Sequence, residues 1–422
     1  MNITLTDEQE ILLKEAIKWF NGSSEQVFQY TAPAGGGKSL MMHLIIDRLG
    51  LKTEQVAPMA YTGAAAIIMK KNGFITARTA HSWLYKYIEY MEEDPVTHYK
   101  KRKRKFVPTR DYLIGVKLIC IDEAGMIPMK MKKVILNHGI KVLVCGDLNQ
   151  LPPVKDTPAF LYDDKIFRLT KIMRQAQNSA IIYLSQLLLK GIKLKPGRYN
   201  EVDVITRKQL NDYTLKNANI IICGTNKSRD AYNRKVRLLR GYKELSLPAD
   251  GEKVICRQND WTTSIDGICL ANGLVGRVFR TPSIAKLNIR ENKFVMNFIP
   301  DMFSELLFED LICDYKYFNS DYTTRNDIRA GRVKVPQLHD YKEKFELAYA
   351  ITTHLSQGSQ YMSGIYMEEY VAPSIQNRLN YTGITRFRNH CIYVLPYEKD
   401  IILRKHVMLF NGYPSVYYND IK

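Results

Sequence analysis

Ten residues near the start of the chain, Thr31 to Leu40 (TAPAGGGKSL), constrain the fold more tightly than any other stretch. They follow the β-branched and aromatic run QVFQYT and lead into the helical pattern KSLMMHLIIDRL. A loop that wraps phosphate needs glycines, so that backbone N–H groups can converge on the oxygens. It also needs a lysine that reaches the β and γ phosphates, and a hydroxyl for Mg²⁺. Gly35, Gly36, Gly37, Lys38 and Ser39 supply these groups, and the helix that follows adds its positive dipole end. The usual pattern G-x-x-x-x-G-K-[ST] opens on glycine, where this chain has Ala32. Pro33 already biases Ala32 toward extended backbone, so the loop is expected to survive the change.

A second run, KLICIDEAG from Lys117 to Gly125, is an apolar strand that ends on Asp122 and Glu123. Ligands of parallel sheets bind at the carboxyl edge, which is where this pair falls. One carboxylate can join the Mg²⁺ shell while the next polarises a water for attack on the γ-phosphate. An isolated acidic pair would read as a solvated strand end. Downstream of the glycine loop, and behind such a strand, it reads as part of a site that hydrolyses a nucleoside triphosphate. A third strand ends in VLVCGDLNQLPPV, Val142 to Val154, and brings Asp147, Gln150 and the Pro152–Pro153 pair.

Short apolar runs alternating with helical patterns argue for α/β architecture. Strands are expected near Gln26–Thr31, Glu54–Thr62, Val116–Ile121 and Lys141–Cys145, and helices over Asp7–Phe20, Lys38–Leu49 and Ala64–Lys71. Tyr85 to Asp111 breaks the pattern: it is polar and aromatic, contains six consecutive basic residues from Lys100 to Lys105, and reads as an inserted hairpin. A second α/β region begins after Pro153, with strands near Val202–Thr206, Asn219–Thr225, Leu347–Thr352 and His390–Leu395. Between Tyr242 and Tyr341, short strand-like pieces between turn residues suggest a small β-barrel.

Charge and cysteine usage narrow the function classes. Of 422 residues, 61 are Lys or Arg against 43 Asp or Glu, a net charge of +18, which favours a polyanionic partner and nucleic acid first. The seven cysteines show no C-x-x-C and no zinc spacing, and several sit inside apolar runs, where a free thiol packs as a small hydrophobe. The opening MNITLTDEQE lacks the pattern of a secretory signal, and no apolar run approaches a membrane span. A reducing cytoplasm, that of a bacterial cell or a phage-infected host, is the expected setting, with no membrane contact.

With GDLNQLPPV in place, the motif series resembles that of superfamily 1 helicases of the RecD/Dda-like, 5′-to-3′ branch. The resemblance implies that Gln150 senses the γ-phosphate and that Pro152 faces a DNA channel. LTDEQ, Leu5 to Gln9, resembles the segment whose glutamine reads adenine, although Thr6 as a helix cap explains it almost as well. AYTGAAA and TAHSWL resemble the family's DNA-contacting segments, which gives Thr62, Gly63, His81 and Ser82 a place against the backbone of a single strand. KIMRQ carries Arg174, and YTGITRFRN carries Arg386 as candidate arginine finger. AITTHLSQGSQ resembles T-x-H-K-S-Q-G-S-E, with Thr352 and His354 toward DNA and Gly358 and Gln360 toward nucleotide. Leu355 replaces the usual lysine and Gln360 the usual glutamate.

The fold class that follows is α/β: two RecA-like parallel-sheet domains with a small inserted 1B element and an SH3-like β-barrel 2B insertion. The expected parts are 1A over 1–84 and 112–154, 1B over 85–111, 2A over 155–241 and 342–422, and 2B over 242–341. The expected activity is ATP-dependent, Mg²⁺-requiring DNA unwinding during replication, recombination or repair. Its substrates are single strands and single-strand/duplex junctions, and Tyr99, Lys101 and Arg102 of the insertion grip or wedge the DNA. The partner class the resemblance suggests is a single-strand-binding or replisome protein, and one chain carries the whole motif series, which suits a monomer. The competing reading is an ATP-driven nucleoprotein remodeller, or a nucleic-acid-binding protein with weak or lost helicase activity.

Overall fold

The computed structural model describes residues 5–93, 100–152, 157–161, 165–171, 179–243, 246–265, 268–280, 293–329, 332 and 343–397. The chain divides into two compact units, residues 1–176 and 177–422. The first is built on a six-stranded sheet of β1 (Val27–Thr31), β2 (Val56–Ala60), β3 (Arg78–Thr79), β6 (Leu118–Asp122), β7 (Lys141–Gly146) and β8 (Phe167–Arg168), in the order β3-β2-β6-β7-β1-β8. Every pairing in it is parallel. Parallel sheets are covered on both faces, so their strands read as unbroken apolar runs. Leu118, Ile119, Cys120 and Ile121 of β6 accordingly have no exposed surface, nor do Val142 to Cys145 of β7.

Four helices of this unit follow from local signals. Helix α1 (Asp7–Gly22) starts on a reciprocal cap, in which Gln9 N donates to Thr6 Oγ1 at 3.4 Å and Thr6 N to Gln9 Oε1 at 3.0 Å. Helix α2 (Lys38–Arg48) leaves the glycine loop, and α3 (Gly63–Lys71) is capped by Thr62, whose Oγ1 accepts from Ala65 N. The short α4 (Ala80–Leu84) is capped in the same way by Thr79. Trp83 Nε1 pins α4 to Pro58 O at 2.9 Å. Helix α5 (Met129–Leu136) precedes β7.

The expected insertion is an antiparallel ribbon of β4 (Tyr85–Glu93) and β5 (Lys100–Pro108), paired without slippage from Tyr85↔Pro108 to Glu93↔Lys100. The first unit continues past Pro153, because β8 pairs with β1 and Leu169 N donates to Thr31 O at 2.9 Å. The run 54–62 is a strand only over Val56–Ala60: Thr53–Gln55 forms a 3-10 turn before it, and Thr62 is drawn off as a helix cap.

The second unit holds another six-stranded sheet, from β9 (Gly197–Tyr199), β10 (Val202–Ile205), β11 (Ile221–Cys223), β19 (Ala350–Thr352), β20 (Tyr361–Met367) and β21 (Phe387–Val394), in the order β19-β11-β20-β21-β10-β9. Only β9 runs antiparallel. Helices α6 (Ala180–Leu189), α7 (Asp212–Asn217), α8 (Asn226–Leu239) and α11 (Pro373–Ile384) belong to this unit, with α9 (Tyr315–Phe318) and α10 (Tyr322–Arg329) in its insertion.

The barrel expectation corresponds to a five-stranded antiparallel sheet of β12 (Lys253–Cys256), β15 (Val275–Phe279), β16 (Lys293–Pro300), β17 (Phe308–Asp314) and β18 (Phe345–Leu347), ordered β17-β16-β15-β12-β18. A separate hairpin joins β13 (Asp260–Ile265) to β14 (Ile268–Leu270). The strand expected over Leu347–Thr352 is therefore two strands: β18 closes the antiparallel sheet and β19 starts in the parallel one. Among the described residues, no helix is long and apolar enough to cross a membrane.

Candidate active site

Strand order decides what meets at the carboxyl edge of the first sheet. Thr31 lies opposite Gly146 and Ile121 opposite Val144, so the loops after β1, β6 and β7 emerge side by side. Gly35 and Gly37 take φ of 77° and 82°, a region that L side chains avoid. A Cβ on Gly36 would lie 2.8 Å from Ala32 Cβ and 3.1 Å from Pro33 O. Lys38 Nζ donates to Ala32 O at 3.1 Å, and Tyr30 OH fixes the start of α2 by donating to Lys38 O at 2.8 Å.

The electrostatics of the lysine report its neighbours. Burial alone would push the Lys38 ammonium down, but the carboxylates of Asp147, Glu123 and Asp122 outweigh it and hold the group above its ordinary value. Asp122 Oδ1 accepts from Glu123 N at 2.8 Å and from the Cys145 thiol at 3.2 Å. Glu123 sits at φ 50°, a left-handed conformation that β6 imposes where it turns into the loop. Asp147 accepts from Asn149 N, and its carbonyl from Gln150 N.

Gln150 is 7% exposed, and among the described residues its Oε1 accepts no hydrogen bond. A buried acceptor without a donor costs about 1–3 kcal/mol, so the site is built for a group that arrives with one, such as an ordered water. The donor set also suits a nucleotide. Mg²⁺ is commonly held by one or two carboxylates with phosphate oxygens and water, and Asp122 with the Ser39 hydroxyl offers that partial shell.

The remaining expected positions divide by unit. In the first, Gln9 is 1% exposed and its side chain caps α1; Thr62 and Gly63 open α3. His81 is exposed and lies between the rings of Tyr61 and Tyr85, with centroids 6.1 and 5.7 Å away. Ser82 Oγ donates to Thr79 O, and Pro152 is half-buried. Lys101 and Arg102 lie on β5 opposite Glu92 and Met91, and Phe106 on the same strand is 50% exposed. Arg174, Tyr99 and Pro153 lie outside the described residues.

In the second unit, Thr352 is buried and its hydroxyl accepts from Leu355 N, while half-buried His354 has its imidazole pushed below its ordinary value by burial. Gly358 takes φ 74°. Gln360 Oε1 is gripped by the Arg388 guanidinium. Arg386 is 5% exposed, and its guanidinium donates to Thr382 O at 3.1 Å, Ser359 O at 3.4 Å and Thr385 Oγ1 at 3.5 Å.

Sequence reasoning passed over Tyr30, Cys145 and Glu8. Glu8 accepts from Thr170 N, Thr170 Oγ1 and Lys171 N, which anchors the segment that leads to Arg174. Its only visible signal was an acid in the first turn of a helix.

A parallel sheet with a glycine loop after β1 and carboxylates after β6 and β7 defines a P-loop nucleotide-binding fold, and the model of the AAA domain matches residues 4–209. The ATP-dependent DNA helicase PIF1 of Candida albicans is 31% identical over 166 residues, which is 36% of this chain and 17% of that protein. Its Saccharomyces cerevisiae counterpart is 29% identical over 199 residues, 41% of this chain and 21% of that protein. The chain thus spans about a fifth of the length of these curated relatives. The Bacteroides Pif1 helicase, solved with ADP-AlF3 and single-stranded DNA, shares the fold at a TM-score of 0.53 and 18% identity over 97% of this chain and 99% of that one. A structure of two coordinating Pif1 helicases at forked duplex DNA matches at 0.54 and 18% identity, over 97% and 98%. The chain is thus similar in sequence to Pif1 helicases over part of its length and shares their fold.

Proposed function

We propose that this chain is an ATP-dependent DNA helicase that moves 5′ to 3′ along single-stranded DNA and opens duplex ahead of it in replication, recombination or repair. The observation that carries the reading is the Lys38 ammonium set among Asp122, Glu123 and Asp147, with the Gln150 acceptor buried unpaired three residues beyond Asp147. The N–H groups of Gly35 to Gly37 and the Lys38 ammonium bind the phosphates, and Gln9 reads adenine. Ser39 and Asp122 hold Mg²⁺, which when bound spreads the charge that develops on the phosphoryl group. Glu123 takes a proton from the attacking water, and Gln150 orients that water against the γ-phosphate. Arg174 and Arg386 stabilise transition-state charge, while Gly358 and Gln360 complete the nucleotide contacts.

Thr62, Gly63, His81, Ser82, Pro152, Thr352 and His354 form the single-strand track, and the β4–β5 ribbon with Tyr99, Lys101 and Arg102 meets the junction. The RecA-like parts 1A and 2A, with 1B and 2B inserted, are the corresponding division of labour. The setting is a cytoplasm, and an accessory single-strand-binding protein is the natural partner. Strand displacement on forked duplexes with a 5′ tail, a 3′ tail or blunt ends tests the proposal. ATP-dependent unwinding that requires the 5′ tail is expected; unwinding from the 3′ tail alone overturns the polarity, and hydrolysis without displacement favours the remodeller.

A further inference from the structure

We infer that Cys145 is a positioning residue for the metal-bound nucleotide: its thiol holds one oxygen of Asp122 so that the other is left for the metal ion. The inference rests on the nucleotide reading of the site. Cys145 lies at the carboxyl end of β7, wholly buried, beside Tyr30 in the parallel register. Two donors converge on the same atom of Asp122: Glu123 N at 2.8 Å and Cys145 Sγ at 3.2 Å, both on Oδ1. Among the described residues, no hydrogen bond reaches Oδ2.

A carboxylate at the end of a strand can rotate about its Cα–Cβ and Cβ–Cγ bonds. One donor defines a pivot. A second donor on the same oxygen, from a neighbouring strand, fixes the plane. Tyr30, whose hydroxyl donates to Lys38 O at 2.8 Å, lies opposite Cys145 in the register of β1 and β7. Tyr30, Cys145 and Asp122 therefore link the floor of the phosphate loop to the proposed metal ligand. This is how supporting groups commonly orient metal-binding carboxylates. A thiol suits the place because it fills an apolar pocket as a small hydrophobe while keeping a weak donor.

The test is equilibrium binding of a fluorescent ATP analogue to the full chain, measured with excess Mg²⁺ and again in EDTA, for wild type, Cys145→Ala, Cys145→Val and Cys145→Ser. Losing one net hydrogen bond corresponds to about three- to tenfold in affinity. Cys145→Ala and Cys145→Val should lose that factor with Mg²⁺ present and nothing in EDTA, and Cys145→Ser should recover most of it. Valine refills the volume that alanine empties, so agreement between the two separates the missing donor from a cavity. Equal losses with and without Mg²⁺ would show a packing role and overturn the inference, as would wild-type affinity in both apolar variants. In either case the nucleotide reading stands, because wild type still binds. A wild type that binds no nucleotide overturns both.

Discussion

The Lys38 ammonium donates to the Ala32 carbonyl at 3.1 Å and so ties the two ends of the phosphate loop together. That bond uses the backbone of Ala32, which does not adopt the left-handed conformation of Gly35 and Gly37. The departure from the usual leading glycine is therefore harmless on structural grounds. Ala32→Gly should leave nucleotide affinity within about twofold of wild type, since a compatible Gly/Ala exchange moves stability by only about 0.4–1 kcal/mol; a binding titration checks this.

Gly36 is a loop position with no room for a side chain. Its Cβ would press on Ala32 Cβ at 2.8 Å and on Pro33 Cδ at 3.2 Å. Overpacking of this kind costs about 1–3 kcal/mol. Gly36→Ala should therefore weaken nucleotide binding by about tenfold or more, while thermal unfolding of the chain stays cooperative.

Glu123 holds its left-handed backbone beside half-buried Lys38, and the proposed role is to take a proton from water. Glu123→Gln should keep nucleotide affinity and lower turnover by about 10²–10⁴-fold, the usual worth of a general base. Lys38→Ala should lose binding and turnover together. Comparing kcat with the dissociation constant for both variants separates the roles, and equal effects in the two would contradict the assignment.

Arg386 satisfies backbone carbonyls inside its own unit, so two consequences are expected from Arg386→Ala. Unpaired buried carbonyls should lower stability by about 1–3 kcal/mol. Loss of the guanidinium should lower turnover by about 10³-fold or more if it is the arginine finger. A lower melting temperature with wild-type turnover would leave it a purely structural arginine.

Glu343 offers a pH test of the barrel insertion. Burial first, and then the neighbouring Asp260 carboxylate, raise its carboxyl from 4.5 to about 8. Below pH 4.5 the folded and unfolded chains both carry the proton, so the group costs nothing. As pH rises from there to about 8, the unfolded chain releases the proton and the folded chain does not, and stability falls. Glu343→Gln keeps a neutral side chain of the same shape. Its melting temperature should match wild type near pH 4 and exceed it increasingly up to pH 8; parallel curves across that range would contradict the shift.

The basic run occupies β5, where the register places Lys100 to Lys105 opposite Glu93 to Ile88. Replacing it by glutamines should reduce the salt dependence of DNA binding, because fewer counterions are released. An unchanged slope of log affinity against log salt would remove the ribbon from the interface.

The parallel sheets were legible because strands buried on both faces announce themselves as apolar runs, as β6 and β7 do. The ribbon was legible as a break in that pattern. Strands that owe their place to pairing were not: β8 has two residues, β9 has three, and β20 is interrupted by Ser363 and Gly364, where the neighbouring chain lies so close that a Cβ on the glycine would be 2.5 Å from Ile220 O. At the site, Lys38, Asp122 and Glu123 stood out because phosphate chemistry dictates both residue type and spacing, whereas Gln150 was singled out only by the family resemblance. Cys145 was not, since a thiol in an apolar run looks like packing until the carboxylate beside it is seen. Of the two readings of Gln9, the geometry displays the helix cap directly.

The central claim is that the phosphate site drives movement along a single strand. Steady-state ATP hydrolysis at fixed moderate salt, with and without single-stranded DNA, tests it most directly. The account predicts low basal turnover and strong stimulation by the strand, abolished in Lys38→Ala. Turnover that is indifferent to DNA, or tight DNA binding with no turnover, would contradict it.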